Sequence, residues 1–497
     1  TRRAAAGVGL AVVAAALGLG LAGAAGAVSL LLVALVTAAA LPKMQRALAP
    51  VLAADPMPVT TTSKVAWGML MLACTVHAAS LATYFGDPAA PGVGIDRGGF
   101  LGGHLCLTAY LHAAELARAG VANIYDLSLV PAMASDGLPA TAAHMAPFTL
   151  DRFGYPPQFV LAPLALIELL DDFAAQRAVW NCVNALFLAY AMWRVALMVG
   201  PQSGRVARWA SPALWMLGGA TLQAGNVQLT VVGMGVLAML AVHEGRDRAG
   251  GAMLATITLA KISPGLLGVV LLAQRRWRAV GWTIAVAVLI SALSLWVLGP
   301  GPFEAFLSYH LPKVASGEAF DFLDDNFERV FENLSPFGLP FKLAALGIGD
   351  APWTWAPRVA TAYTVLAFGL AAVVGRRKDP DRRTQAATAM LVLTMAGLRS
   401  PMAPGYLLAG VFWAMLLVAP EVRSWRGWAL GFGLVGAMML ATPFAPVHHL
   451  AGAFLGQLAL HGTLLWLLLR RWPILDPELS KASPPRPQTS LPQPALG

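Results

Sequence analysis

The chain has 497 residues, 58% of them hydrophobic and only 12% charged, with a net charge of +9 and a mean hydropathy of +0.65. A soluble globule of this length carries about 25% charged residues, so that class is excluded. Its long apolar runs predict an all-α polytopic membrane protein, because about 20 apolar residues cross a bilayer as a helix, and helices or closed barrels alone satisfy every backbone group in lipid.

The first apolar run extends to Leu41, longer than the core of a signal peptide. With Arg2 and Arg3 before it and Lys43 and Arg46 after it, it reads as a hairpin turning near Gly20 to Gly26, both ends on the cytoplasmic side. Residues 1–64 form this hairpin and a linker, residues 65–472 a transmembrane domain, and the Pro/Ser-rich 473–497 a disordered cytoplasmic tail. Basic residues recur in short clusters: Arg246/Arg248, Arg275/Arg276/Arg278, Arg376/Arg377/Lys378/Arg382/Arg383, Arg423/Arg426 and Arg470/Arg471. Such clusters between apolar runs mark cytoplasmic loops, not a nucleic-acid surface. Cys74, Cys106 and Cys182 have no spacing that suggests a metal site or a disulfide framework.

With those clusters inside, residues 65–85 run outward and 86–154 form a first outer loop. The span 155–225 holds three apolar segments (155–170, 178–199 and 211–222) where an even number of crossings is needed, so one of them is interfacial or half-spanning. Helix 226–243 returns inward, and 251–273, bracketed by basic clusters, reads as a hairpin kinked at Lys261-Ile262-Ser263-Pro264. After 279–298 comes a second outer loop, 301–350. Five further segments (357–374, 384–398, 406–419, 427–443 and 447–469) complete a bundle of roughly 11–13 transmembrane helices.

The two outer loops hold 14 of the 25 acidic residues, which places carboxylate chemistry outside. Within the first, 104–120 has apolar residues at 107, 111 and 114, with Glu115 and Arg118 off that stripe. This predicts an amphipathic helix on the membrane surface, stopped at Gly120.

Several short motifs follow one another in order. They are Tyr110-x-x-Ala113-Ala114, Gly120, Asn123-Ile124-Tyr125-Asp126, Tyr155-Pro156-Pro157 and Ala162-Pro163-Leu164. Then come Gly225-Asn226-Val227-Gln228, Leu259-Ala260-Lys261-Ile262-Ser263-Pro264, Asn333-Leu334-Ser335-Pro336-Phe337-Gly338 and Leu398-Arg399-Ser400-Pro401. Over residues 65 to 420 this series resembles the GT-C-fold glycosyltransferases of family 87, the polyprenyl-phosphate-sugar mannosyl- and arabinofuranosyltransferases of bacterial envelopes. The chain departs from that pattern in three places. The amides of Asn226 and Gln228 are exchanged, Met402-Ala403-Pro404 follows the Ser-Pro where Trp and paired His are usual, and Asp96 lies fourteen residues before Tyr110 instead of a few.

The resemblance implies an inverting transfer from a polyprenyl phosphate, mannose ahead of arabinose, to an envelope glycan or glycolipid. The enzyme would sit in a bacterial inner membrane with its site facing outward and use no metal or other cofactor. One carboxylate must deprotonate the acceptor hydroxyl, and cationic or amide donors must hold the leaving phosphate. For the base, the glycine-flanked Asp96 leads and Asp87 is the alternative, with Asp126 and Asp151 behind. Lys261, Arg399, His310, Arg152 and Lys313 are the phosphate candidates, joined by Tyr155, Asn226 and Gln228 as substrate-binding residues. Lys261 is singled out because an ionisable residue inside a membrane is expensive. A secondary transporter and a non-catalytic envelope-assembly protein are the alternative readings. Asn333-Leu334-Ser335 also fits the glycosylation sequon.

Overall fold

The computed structural model describes residues 72, 76–86, 106–129, 140–198, 219, 221–321, 323, 330, 333–377, 380–403, 410, 411, 413, 414, 457, 458, 461, 462, 464, 465, 468 and 469. The expected hairpin of 1–64, the tail, the segment 427–443, Asp87 and Asp96 lie outside the described residues. Among the described residues the long regular elements are all helices.

In chain order they are α1 (Cys106–Arg118), α2 (Leu161–Leu169) after the 3-10 turn Pro157–Val160, α3 (Phe173–Met198), α4 (Gln228–His243) and α5 (Asp247–Ala260). A 3-10 turn, Ser263–Gly265, leads into α6 (Leu266–Ala273), followed by α7 (Trp277–Leu298). The second outer loop contains α8 (Gly301–Ala305), a π-helical turn Phe306–His310, α9 (Leu311–Ser316) and α10 (Leu339–Ala345). The last two elements are α11 (Pro352–Gly375) and α12 (Arg382–Gly397).

The core is organised around α4, which is buried on every side and flanked by α3, α5 and α12. A helix apolar all round either faces lipid or is buried, and helices packed on three sides make α4 the centre of the bundle. Gly251 lets α5 close on α7: a Cβ there would stand 2.7 Å from the Ala279 carbonyl oxygen and from the Trp282 Cβ. Small residues at such crossings bring backbones together where lipid provides no hydrophobic drive.

The outermost helices have the opposite character. Helix α7 is 22 residues long and α11 24, roughly 33 and 36 Å at 1.5 Å per residue. Among the described residues these two are long and apolar enough to cross a membrane. On α7, Leu289 is 68% exposed and Trp296 82%. Water disfavours so large an apolar surface and lipid does not; the protein is a membrane protein.

Three expectations are refined by the fold. First, α1 is not a half-exposed surface helix: its residues from Cys106 to Ala114 are all buried, the polar Thr108 and His112 included. The Thr108 hydroxyl donates to the Thr149 carbonyl oxygen at 2.9 Å, so the chain returning through 149–155 covers the helix. Its end is as predicted, with Gly120 at φ +78° and Val121 N donating to the Leu116 carbonyl oxygen at 3.0 Å in a left-handed cap. Second, helical turns from Pro157 to Leu169 span 13 residues, roughly 20 Å, too short for a 30 Å core. They lie against α1, with Arg118 and Glu168 paired at 3.6 Å. Third, the break at 261–264 doubles the chain back, because the end of α6 at Gln274 and the end of α4 at His243 line one cleft.

Candidate active site

The break that ends α5 places a lysine inside the bundle. Lys261 leaves the helix with extended dihedrals, φ −154° and ψ 120°, and Pro264 two residues into the next turn prevents the helix from resuming its hydrogen-bond ladder. The Lys261 Nζ donates to the Gln228 Oε1 at 2.7 Å and lies 5.6 Å from the centre of the Tyr155 ring. An ammonium over an aromatic face is stabilised by the ring quadrupole.

Gln228 is held by the turn before it. Gly225 adopts φ +67°, and a Cβ there would meet the Leu107 Cβ at 2.8 Å; the turn therefore requires glycine for conformation and for space. The Asn226 Oδ1 accepts from the Gln228 backbone N–H at 2.8 Å, while its Nδ2 donates to the Cys106 Sγ at 3.2 Å. Trp180 Nε1 donates to the Gly225 carbonyl oxygen at 2.8 Å. Elements 120 residues apart in sequence thus fix one amide beside Lys261.

Tyr155 forms the opposite wall. Its hydroxyl is 2.8 Å from that of Tyr110, and its carbonyl oxygen accepts from the Tyr125 hydroxyl at 2.9 Å. Its ring stacks on Phe159 at 5.0 Å, and Phe159 meets Trp180 edge-on at 6.2 Å. A cation, two amides and aromatic faces together suit an anionic group joined to an apolar or ring-shaped one.

Not all the expected ligands join this cluster. Arg152 donates from Nη1 to the Asp321 Oδ1 at 2.9 Å and to the Ala319 carbonyl oxygen at 3.4 Å, tying the two outer loops together. His310 is buried, its ring stacked on Tyr125 at 4.6 Å, and burial pulls its pKa down to about 4 despite a hydrogen bond to the Gly154 backbone. Neutral at pH 7, it supports the Tyr125 wall and supplies no charge for a phosphate. Lys313 pairs with Glu318 on the surface. The Arg399 Nε donates to the Thr364 Oγ1 at 3.2 Å, with its guanidinium 5.4 Å from the centre of the Phe368 ring, so α11 engages it.

Cys106 enters the site without a signal from the sequence, and Asp151, a trailing candidate for the base in the sequence, stands beside it. Burial first, and the charge of Asp151 second, push the Cys106 thiol up to about 12; it stays a protonated, inert group under Asn226. Asp151 is placed by its backbone N–H, which donates to the Thr108 Oγ1 at 3.3 Å, and its carboxylate accepts from the Arg152 N–H at 2.9 Å. The placement of Asp151 arises from α1 meeting the chain 41 to 43 residues later, and that of Cys106 from Asn226, 120 residues away; no local spacing encodes either. Asp126 caps its own turn by accepting from the Ser128 N–H and hydroxyl at 2.9 Å each, and those bonds keep its pKa low. The Asn333 motif is a buried latch: Asn333 Nδ2 donates to the Pro401 carbonyl oxygen at 2.8 Å, and its Oδ1 accepts from the Ser335 and Ala403 N–H groups at 2.9 and 3.0 Å. With no exposed surface, this asparagine is closed to glycosylation.

A family model described as glycosyltransferase family 87 covers residues 153–401, 249 of the 497 positions. The matched region includes Tyr155, Asn226, Gln228, Lys261 and Arg399 and begins in the last two residues of the first outer loop. No curated protein and no solved structure matches the chain.

Proposed function

The chain belongs to glycosyltransferase family 87, and from that premise we propose that it transfers mannose, ahead of arabinose, from a polyprenyl phosphate with inversion. The acceptor would be an envelope glycan or glycolipid at the outer face of a bacterial inner membrane. The observation that carries the reading is Lys261, held at a helix break between the Gln228 amide and the Tyr155 ring. A half-buried ammonium in an apolar bundle is costly unless it meets an anion, and a lipid-linked phosphate is such an anion.

In the proposed reaction a carboxylate takes the proton of the acceptor hydroxyl, and that oxygen attacks the anomeric carbon on the face opposite the phosphate. The bond between the anomeric carbon and the phosphate oxygen breaks, and its electron pair leaves with the phosphate. Lys261 balances the charge gathering there. Tyr155, Phe159 and Trp180 offer faces for the sugar or the first isoprene units.

The proposed base is Asp96, with Asp87 as the alternative. Of the described carboxylates, Asp151 stands beside the site and is the third candidate. The topology consistent with this assignment keeps 155–170 on the outer side and takes α3 inward, 211–222 outward and α4 inward to Arg246. A GT-C-like bundle of roughly 11–13 crossings then closes.

The test is transfer from synthetic polyprenyl-phosphate mannose and arabinose by the purified protein in detergent, with Asp96→Asn, Asp87→Asn and Asp151→Asn variants in parallel. Loss of a general base costs about 100- to 10,000-fold, expected for Asp96→Asn alone. Full activity in all three variants overturns the base assignment, and an inactive wild type with both donors overturns the donor class.

A further inference from the structure

At the end of the bundle opposite Lys261, His243, Gln274, Arg275, Arg276, Arg376 and Gln385 line a cleft of about 540 Å³. Four segments build it: the end of α4, the turn between α6 and α7, the end of α11 and the start of α12. Gln385, buried at its back, accepts from the Gln274 Nε2 at 3.3 Å.

The charges in this cleft are unbalanced. Among the described residues Arg275, Arg276 and Arg376 have no carboxylate within ion-pair distance. The nearby acids are committed elsewhere: Glu244 to Arg246 at 2.7 Å and Arg382 at 3.5 Å, and Asp381 to the Thr384 N–H at 2.7 Å as the N-cap of α12. Three exposed arginines line one cleft with the Gln274 and Gln385 amides, a set of donors suited to phosphate oxygens.

The backbone adds an independent observation. Arg275 adopts φ +56°, at the left-handed position after α6, with Arg276 N donating to the Leu271 carbonyl oxygen at 2.9 Å. Glycine is the residue that ordinarily closes a helix this way, and a side chain there is strained. The chain keeps an arginine where the turn favours glycine, so its charge is retained against a conformational cost.

We propose that this cleft binds the head group of an anionic phospholipid in the inner leaflet. The apolar faces of α7 and α11 flank it and provide for the acyl chains, and the inner leaflet carries the anionic head groups that basic pockets between membrane helices recognise. Only the choice of leaflet rests on the orientation proposed above; head-group selectivity does not.

The experiment uses the full chain in neutral detergent. Retained lipid is read by native mass spectrometry and thermal stability on titration with phosphatidylglycerol, phosphatidylcholine or inorganic phosphate. Phosphatidylglycerol should be retained and should raise the melting temperature, while phosphatidylcholine does neither. The Arg275→Gly/Arg276→Gln/Arg376→Gln variant should bind at least about tenfold more weakly, losing two or three charge-assisted contacts. Arg275→Gly alone relieves the left-handed strain, so weaker binding in that folded variant is expected and cannot be assigned to misfolding. Equal retention of phosphatidylglycerol by wild type and triple variant, or equal retention of phosphatidylcholine, overturns the proposal. So does full displacement of the lipid by millimolar phosphate, which would mark a free-phosphate site. None of these readouts depends on sugar transfer.

Discussion

The Nζ of Lys261 donates to the Oε1 of Gln228 across 2.7 Å, joining the end of one helix to the start of another 33 residues earlier in the chain. The bond aims the ammonium at the space beside Tyr155 and leaves its other two protons for an acceptor. It therefore orients the lysine without neutralising it.

Two substitutions separate orientation from charge. Lys261→Met should lower kcat/KM for lipid-phosphate donors about 100-fold or more, as loss of a preorganised charge at a leaving group does. Gln228→Leu keeps the charge and loses one charge-assisted hydrogen bond worth about 1.5 kcal/mol, so a drop of about tenfold is expected. Equal rates for wild type and Lys261→Met would remove the lysine from the phosphate site.

Gly225 sets the turn that presents both amides. Gly225→Ala introduces a side chain at φ +67° and forces its Cβ to 2.8 Å from the Leu107 Cβ. The expected cost is about 1–3 kcal/mol, seen as a lower melting temperature in detergent with a parallel loss of activity. A variant as stable as the wild type would show that the turn tolerates a different conformation.

His310 makes stability depend on pH. Burial lowers its folded pKa to about 4, below the unfolded value of about 6.5, so between those values the unfolded chain binds the extra proton. Its contribution is complete above about pH 6.5 and is lost as pH falls toward 4, roughly 3 kcal/mol in all. Thermal unfolding at pH 7, 5.5 and 4.5 should show that slope, and His310→Gln should flatten it. An unchanged slope in the variant assigns the acid sensitivity to other groups.

Much of the fold was legible in the sequence. Composition forces an all-helical membrane protein, since backbone groups in lipid admit little else. Pro264 after Lys261 predicts the break between α5 and α6, and Gly120 the end of α1, because both rest on local backbone sterics. Asn226, Gln228, Lys261 and Tyr155 stand out in short motifs, and the fold gathers them into one cluster.

What the sequence by itself determined is thus the set of properties carried by single residues or by runs of them: hydropathy, charge placement, breaks and caps. The tertiary structure alone decided which polar groups share a site. It buried α1 under 149–155, turned Arg152 to Asp321, stacked His310 on Tyr125 and seated Cys106 beneath Asn226. Those pairings span 41 to 185 positions. A side chain's role in them depends on which buried donor or acceptor must be satisfied once the helices have packed, and local pattern carries no record of that.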